Sequence, residues 1–215
     1  MKKLLVSVVA LAMAFAVTSC GKDDVTAPEI TLPSDELVID LGDDEAAFKN
    51  VTAKDDKDGD VTNSLTVEGL DYVGKGTLTY YAKDNAGNVG KEEKNVTIKA
   101  DKLFGGYAVV EKCEEDGVTQ TYDVQVAKSG VSQTELLMNN FYGYDNVRFI
   151  GDGKSTTLTM EKFNATADGE KFEITGSATY KKGTSQYEIV TATFKVTWED
   201  TDFGVDNYTM TFRLQ

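Results

Sequence analysis

The chain has 215 residues, of which 36 are acidic and 22 basic, so its formal net charge is −14 at neutral pH. A charge of that sign argues against a nucleic-acid partner, because phosphate binding needs a basic surface. The complete lack of histidine excludes Ser-His-Asp and Cys-His hydrolases and metal sites with imidazole ligands. Apolar residues make up 40% of the chain, which is enough for a packed core.

The first twenty residues have the organisation of a secretory leader. Two lysines precede an apolar stretch at residues 4–17 that is too short for a permanent membrane-spanning helix. Residues 17–20, Val-Thr-Ser-Cys, resemble the bacterial lipobox. That resemblance implies a signal peptide over residues 1–19 and a lipid on Cys20 that anchors the chain to a membrane without crossing it.

Residues 20–27 are predicted to form a short polar tether behind that lipid. Asp23 and Asp24 follow the cysteine closely. An aspartate-rich stretch at this point resembles the surface-export signal of Bacteroidetes lipoproteins, which implies an outer-membrane protein facing the cell surface. A hydrophilic spacer without any export role would have the same composition, so the side of the membrane stays open.

Residues 28–100 alternate between apolar and polar side chains in short runs that are separated by turn residues. The pattern predicts about seven short strands, as in a small immunoglobulin-like β-sandwich. Four segments, at residues 27–32, 51–62, 76–88 and 96–98, resemble bacterial surface immunoglobulin-like domains of the HYR type, which also occur in pesticidal crystal proteins. The resemblance implies a spacer or adhesion module rather than a catalyst.

Four aspartates in the middle of this segment are candidate calcium ligands, because Ca²⁺ takes six to eight oxygen atoms. They are Asp55, Asp56, Asp58 and Asp60. The EF-hand spacing is not present, since Lys54 occupies the place of the first aspartate. The alternative is a solvated turn in which Asp58 satisfies the loop backbone.

Residues 103–215 contain longer alternating runs, which predict about eight strands joined by short turns. Short connections favour an up-and-down antiparallel meander that closes into a barrel and so removes its edges. Segments at residues 105–107, 122–126, 140–141 and 174–180 resemble the calycin-like β-barrels at the C-termini of Bacteroidetes lipoproteins. A lipocalin-type barrel can enclose one small ligand, but a lumen filled by side chains fits the sequence equally well.

The stretch at residues 139–146 places aromatic rings beside amides and a carboxylate. Asn140, Tyr142 and Tyr144 are the candidate ligand-binding residues, because such a mixture can stack on a sugar and bind its hydroxyls. The alternative is that Phe141 packs into the barrel while the tyrosine rings cover a loop.

Two further residues are interpreted as structural. Trp198 alternates with apolar residues on one strand face, which is typical of the core. Cys113 is the only thiol besides Cys20, and its acidic surroundings offer nothing that would activate it as a nucleophile. We expect a small buried residue there and no catalytic residues in the chain.

The sequence therefore predicts a non-catalytic cell-envelope lipoprotein without a required cofactor. In the first hypothesis the immunoglobulin-like spacer presents a barrel that binds a glycan, a peptide or a small ligand. In the alternative the protein is a structural or accessory subunit of an outer-membrane complex and binds no soluble ligand.

Overall fold

The computed structural model describes residues 23–200 and 203–215, and the predicted lipidation site Cys20 lies outside these ranges. The all-β prediction is confirmed, as is the closed eight-stranded antiparallel barrel. Within the described ranges, no helix combines the length and the apolar character that crossing a membrane would need.

The N-terminal part consists of short strands in two sheets. A three-stranded sheet has the order β1-β3-β4, and a four-stranded sheet has the order β2-β7-β6-β5. The pairing of β2 with β7 is parallel, whereas the others are antiparallel. The strands are β1 (Glu29–Thr31), β2 (Leu37–Asp40), β3 (Thr52–Asp55), β4 (Gly59–Asp60), β5 (Thr66–Glu68), β6 (Gly74–Lys83) and β7 (Val89–Lys99).

Buried and more exposed side chains alternate along β6, which shows why these residues form a half-buried strand. Leu78, Tyr80 and Ala82 point into the core, while the residues between them are more exposed. The short helix α1 (Asp44–Phe48) covers this core, and Asp43 caps it by accepting a hydrogen bond from the Ala46 amide at 3.0 Å. The Tyr80 hydroxyl donates to the Ala47 carbonyl of this helix at 2.8 Å.

The C-terminal part is the barrel, in which eight strands follow the order β12-β11-β10-β9-β8-β16-β15-β14 and the pairing of β12 with β14 closes the ring. An additional strand, β13, pairs only with β14. The strands are β8 (Gly105–Cys113), β9 (Thr119–Lys128), β10 (Glu135–Asn139), β11 (Val147–Gly151), β12 (Thr157–Met160), β13 (Phe163–Ala167), β14 (Glu170–Lys182), β15 (Tyr187–Trp198) and β16 (Val205–Leu214).

Large apolar side chains fill the interior of the barrel. The inward positions of its strands are buried and belong to one hydrophobic cluster. The interior is therefore packed with side chains, which corresponds to the second of the two alternatives that the sequence leaves open. The inward residues include Tyr107, Val109, Val124, Leu136, Met138, Phe149, Leu158, Ile174, Val196 and Met210.

The two parts meet at a junction where backbone lies directly on backbone. Gly74 and Gly76 of β6 lie against Gly151 and Gly153, and the Gly153 amide donates to the carbonyl of Val73 at 2.8 Å. A Cβ atom on any of these glycines would lie within 3.0 Å of main-chain atoms on the other side. Only glycine allows this approach.

Tyrosine side chains of the barrel complete the junction. The buried Tyr180 hydroxyl accepts from the Val73 amide at 2.8 Å and donates to the Asp71 carbonyl at 2.9 Å. The Tyr187 hydroxyl donates to the Asp71 carboxylate. Burial raises the pKa of Tyr180 to about 12, so this hydroxyl keeps its proton over the whole physiological range.

Candidate functional site

A cleft of about 430 Å³ opens at the end of the barrel that lies away from the junction. We call this end the free end. Strand β8 starts near the junction at Gly105 and reaches the cleft at Glu111, and β9 runs in the opposite direction beside it. The cleft is lined by Glu111, Gln120, Tyr122, Asn140, Tyr142 and Gly143.

A buried carboxylate forms the floor of this cleft. Glu111 is only 4% exposed, and it accepts a hydrogen bond from the Tyr122 hydroxyl. Burial raises the pKa of the Glu111 carboxyl above its ordinary value, although the bond from Tyr122 partly opposes that rise. Burial and the neighbouring carboxylate together raise the pKa of the Tyr122 phenol. Glu111 and Tyr122 therefore form a fixed hydrogen-bonded pair within a partly apolar surface.

The loop between β10 and β11 forms the wall of the cleft in an unusual backbone conformation. Asn140, Tyr142 and Asn146 have φ angles of 62°, 50° and 60°. A positive φ is tolerated by asparagine but is rare for a bulky residue such as tyrosine. Strained residues of this kind persist where the surroundings hold them, and they concentrate at functional sites.

Contacts around Tyr142 hold the loop in this conformation. Its hydroxyl donates to the Tyr208 hydroxyl at 3.0 Å, and its backbone amide donates to the Tyr122 hydroxyl at 3.3 Å. Its ring packs against Phe194 with centroids 5.2 Å apart. The Asn140 side chain donates to the Asp123 carbonyl at 2.8 Å. Both residues are thus fixed before any ligand arrives.

The sequence candidates for ligand binding separate into two groups in the structure. Asn140 and Tyr142 line the cleft, whereas Tyr144 lies outside it and packs edge-on against Phe163 and Phe172. Phe141 is fully buried, with its ring 5.4 Å from Phe149 and 5.1 Å from Phe194.

Two residues interpreted as structural lie at the same free end. Trp198 is half-buried, packs 4.7 Å from the ring of Phe172, and donates from its indole nitrogen to Asp206 at 3.0 Å. Cys113 is only partly buried, which differs from the expected buried position. It is the last residue of β8, where the strand leaves the barrel.

Sequence reasoning missed Glu111, Gln120 and Tyr122 as parts of the site. A signal for Glu111 was nevertheless present, because Tyr107, Val109 and Glu111 occupy alternate positions of one strand. A carboxylate in phase with two core residues must point inward. Such a group is functional or paired more often than it is accidental.

A larger cleft, of about 520 Å³, lies at the junction and includes Asp71 and Tyr187. Two of its polar side chains already join the two parts, since the Tyr187 hydroxyl donates to the Asp71 carboxylate. We therefore assign that cleft to the structure of the junction and the cleft at the free end to function.

The four aspartates proposed as calcium ligands are not all brought together. Asp55 and Asp58 lie close to each other and to Asp24 and Asp84, which the sequence did not indicate. Asp60 instead accepts a hydrogen bond from the Thr62 amide at 2.9 Å, and neither it nor the exposed Asp56 belongs to that group.

Comparison with known proteins does not assign the chain to a family. No family model matches it, and no curated protein matches it. Among solved structures, it is similar to the lipoprotein BT2262 from Bacteroides thetaiotaomicron, with 16% sequence identity, a TM-score of 0.33, and coverage of 86% of this chain and 100% of that one. Values this low assign no activity, so the function has to be inferred from the site.

Proposed function

We propose that the chain is a non-catalytic lipoprotein whose barrel binds a small hydroxyl-rich ligand, such as the terminal sugar of a glycan, in the cleft at its free end. The observation that carries this proposal is the cleft itself. Its volume of about 430 Å³ lies within the usual range of roughly 300–1,000 Å³ for small-molecule sites. It combines aromatic surface with a few fixed polar groups, as such sites do.

The chemistry of the lining favours a neutral ligand. The Glu111 carboxylate and the net charge of −14 disfavour an anion. Hydroxyl groups can donate to the carboxylate and exchange hydrogen bonds with the amide of Gln120, while the half-buried ring of Tyr142 offers an apolar face.

The rest of the chain fits a lipoprotein that is anchored in a membrane and holds its binding domain away from it. In this proposal, Cys20 carries the lipid, residues 28–100 form an immunoglobulin-like spacer, and residues 103–215 form the binding domain. The cleft lies at the barrel end away from the N-terminal part, so it would face away from an outer membrane that holds the N-terminus. Exposure at the cell surface, as part of this proposal, rests on the aspartate-rich stretch after Cys20.

A glycan-array screen of residues 21–215 tests this proposal. We expect a specific hit that is lost in Gln120→Ala, since Gln120 is exposed and lines the cleft. Gln125→Ala is the matched control, because Gln125 is exposed on the same strand but its odd spacing from Gln120 places it on the opposite face. Equal loss of the hit in both variants would contradict the proposed site.

The filled barrel favours a second candidate function, namely that of an accessory subunit of an envelope complex. A blank array together with specific crosslinking of the intact protein to one envelope protein would support that alternative and overturn ligand binding.

A further inference from the structure

Four carboxylates from three distant parts of the chain converge at one end of the N-terminal part. Asp24 precedes β1, Asp55 and Asp58 flank the turn between β3 and β4, and Asp84 follows β6. One carboxylate oxygen from each lies within 4.8 Å of the corresponding oxygens of the other three. We call these four residues the aspartate cluster.

One oxygen in the aspartate cluster is buried without a partner. Asp55 is 2% exposed, and its Oδ1 accepts from the amides of Lys57 at 2.9 Å and Asp58 at 2.8 Å. Its Oδ2 has no hydrogen-bond partner among the described residues. Because Oδ1 already accepts two hydrogen bonds from the turn, Oδ2 is the Asp55 oxygen that is left to bind a ligand. A buried carboxylate oxygen of this kind is costly unless a cation or a donor satisfies it.

The other carboxylates are held in place by the backbone. Asp84 accepts from the amides of Gly87 at 2.6 Å and Asn88 at 2.7 Å, and also from the Asn88 side chain at 2.7 Å. Asp58 accepts from the Asn85 amide at 2.8 Å. These bonds fix the positions of the carboxylates, so the cluster does not relax by turning its charges into solvent.

The positive charge next to the cluster does not match its four negative charges. Lys57 lies with its Nζ 3.4 Å from Asp24 Oδ1, and the lysine side chain is about half exposed. Among the described residues, Lys57 is the one cation in an ion pair with the cluster, so like charges still face each other across less than 5 Å, which is unfavourable in a partly buried site.

From these observations we propose that the aspartate cluster is a calcium site. Oxygen atoms bound to Ca²⁺ at about 2.3–2.6 Å can be separated by up to about 5 Å, which accommodates the 4.8 Å spread of the cluster. Mg²⁺ holds its ligands at about 2.0–2.1 Å and would need a tighter group. The cluster contains neither histidine nor cysteine, so its donor set is unsuited to zinc or copper.

Calcium at this position would connect the segment before β1 to both N-terminal sheets. Asp24 belongs to that segment, Asp55 ends a strand of the three-stranded sheet, and Asp84 follows a strand of the four-stranded sheet. The Asn88 side chain already donates to the Asp24 carbonyl at 3.2 Å. The bound ion therefore stiffens the attachment of residues 24–28 to the two N-terminal sheets, a role independent of the cleft in the barrel.

Calorimetric titration of residues 21–215 with CaCl₂ tests the site, and this chain retains every described residue. We expect one ion per chain, with a dissociation constant of about 10⁻³ M or tighter, as in extracellular calcium modules. Asp55→Asn should weaken binding at least about tenfold, because it removes the buried negative charge while Oδ1 keeps its contacts with the turn. Asp60→Asn, a matched change in the same hairpin, should leave the affinity unchanged.

Absence of calcium binding by the wild-type chain would overturn the proposal, as would equal weakening by both variants. Hydrogen exchange tests the connecting role separately. Amides of residues 24–27 should exchange at least about tenfold more slowly with calcium than without it in the wild-type chain, but not in Asp55→Asn. If calcium leaves these exchange rates of the wild-type protein unchanged, the proposed stiffening is overturned.

Discussion

The Tyr180 hydroxyl offers a direct test of how firmly the barrel is joined to the N-terminal part. Tyr180→Phe removes the acceptor of the Val73 amide and the donor to the Asp71 carbonyl, while the ring keeps its packing. Val73 is fully buried, so its amide loses its partner without gaining water. An unsatisfied buried donor costs about 1–3 kcal/mol, and a net hydrogen bond contributes about 1 kcal/mol. We expect the free energy of unfolding to fall by about 2–3 kcal/mol.

Urea denaturation followed by circular dichroism measures this loss as a lower midpoint with an unchanged m-value. Tyr81→Phe is the control, because its hydroxyl contacts Glu68 at 3.3 Å at the surface and its loss should cost less than about 0.5 kcal/mol. Equal loss of stability in the two variants would show that the buried bonds at the junction contribute nothing beyond a surface contact.

Three further outcomes follow from the core, the junction and the cleft. Gly76→Ala should cost at least about 2 kcal/mol, because its Cβ would lie within 3.0 Å of the Gly153 carbonyl, whereas Gly130→Ala meets no atom within 4 Å and should be nearly neutral in the same urea assay. Phe149→Ala should lower the free energy of unfolding by about 3–5 kcal/mol, and a smaller loss would mean that the barrel collapses around the cavity. Burial raises the pKa of Glu111, so its contribution to stability is greatest below 4.5, its ordinary pKa, and is lost as the pH rises through the raised value. The stability of the wild-type chain relative to Glu111→Gln should therefore increase as the pH is lowered towards about 4.5, and a constant difference would contradict the raised pKa.

Alternation of side chains was sufficient to predict most of the barrel. Strands such as β14 and β15 are long, and one face of each is buried, so their apolar residues recur with period two. Strand β13 was not predicted, since the sequence pattern indicated about eight strands in this part of the chain and its described residues form nine. Its residues are only partly buried and it pairs with β14 alone, so burial leaves little pattern in its sequence.

The candidate sites were predicted less completely, because residues far apart in sequence assemble them. The loop containing Asn140 and Tyr142 was identified from its local composition. Glu111 lines the same cleft only because the barrel brings β8 beside that loop. In the same way, Asp24 and Asp84 meet Asp55 across the two N-terminal sheets, a proximity that local spacing does not encode.

The cleft and the junction lie at opposite ends of the barrel, and this placement determines how the molecule transmits a mechanical force. A pull on a ligand at Tyr142, resisted at Gly151 and Gly153, would act along the lengths of the strands between them. Hydrogen bonds of antiparallel pairs run across the strands. Such a pull would therefore load the covalent backbone of β11 along its length, with the cross-strand hydrogen bonds at right angles to the force, so the barrel would transmit the force without being unzipped.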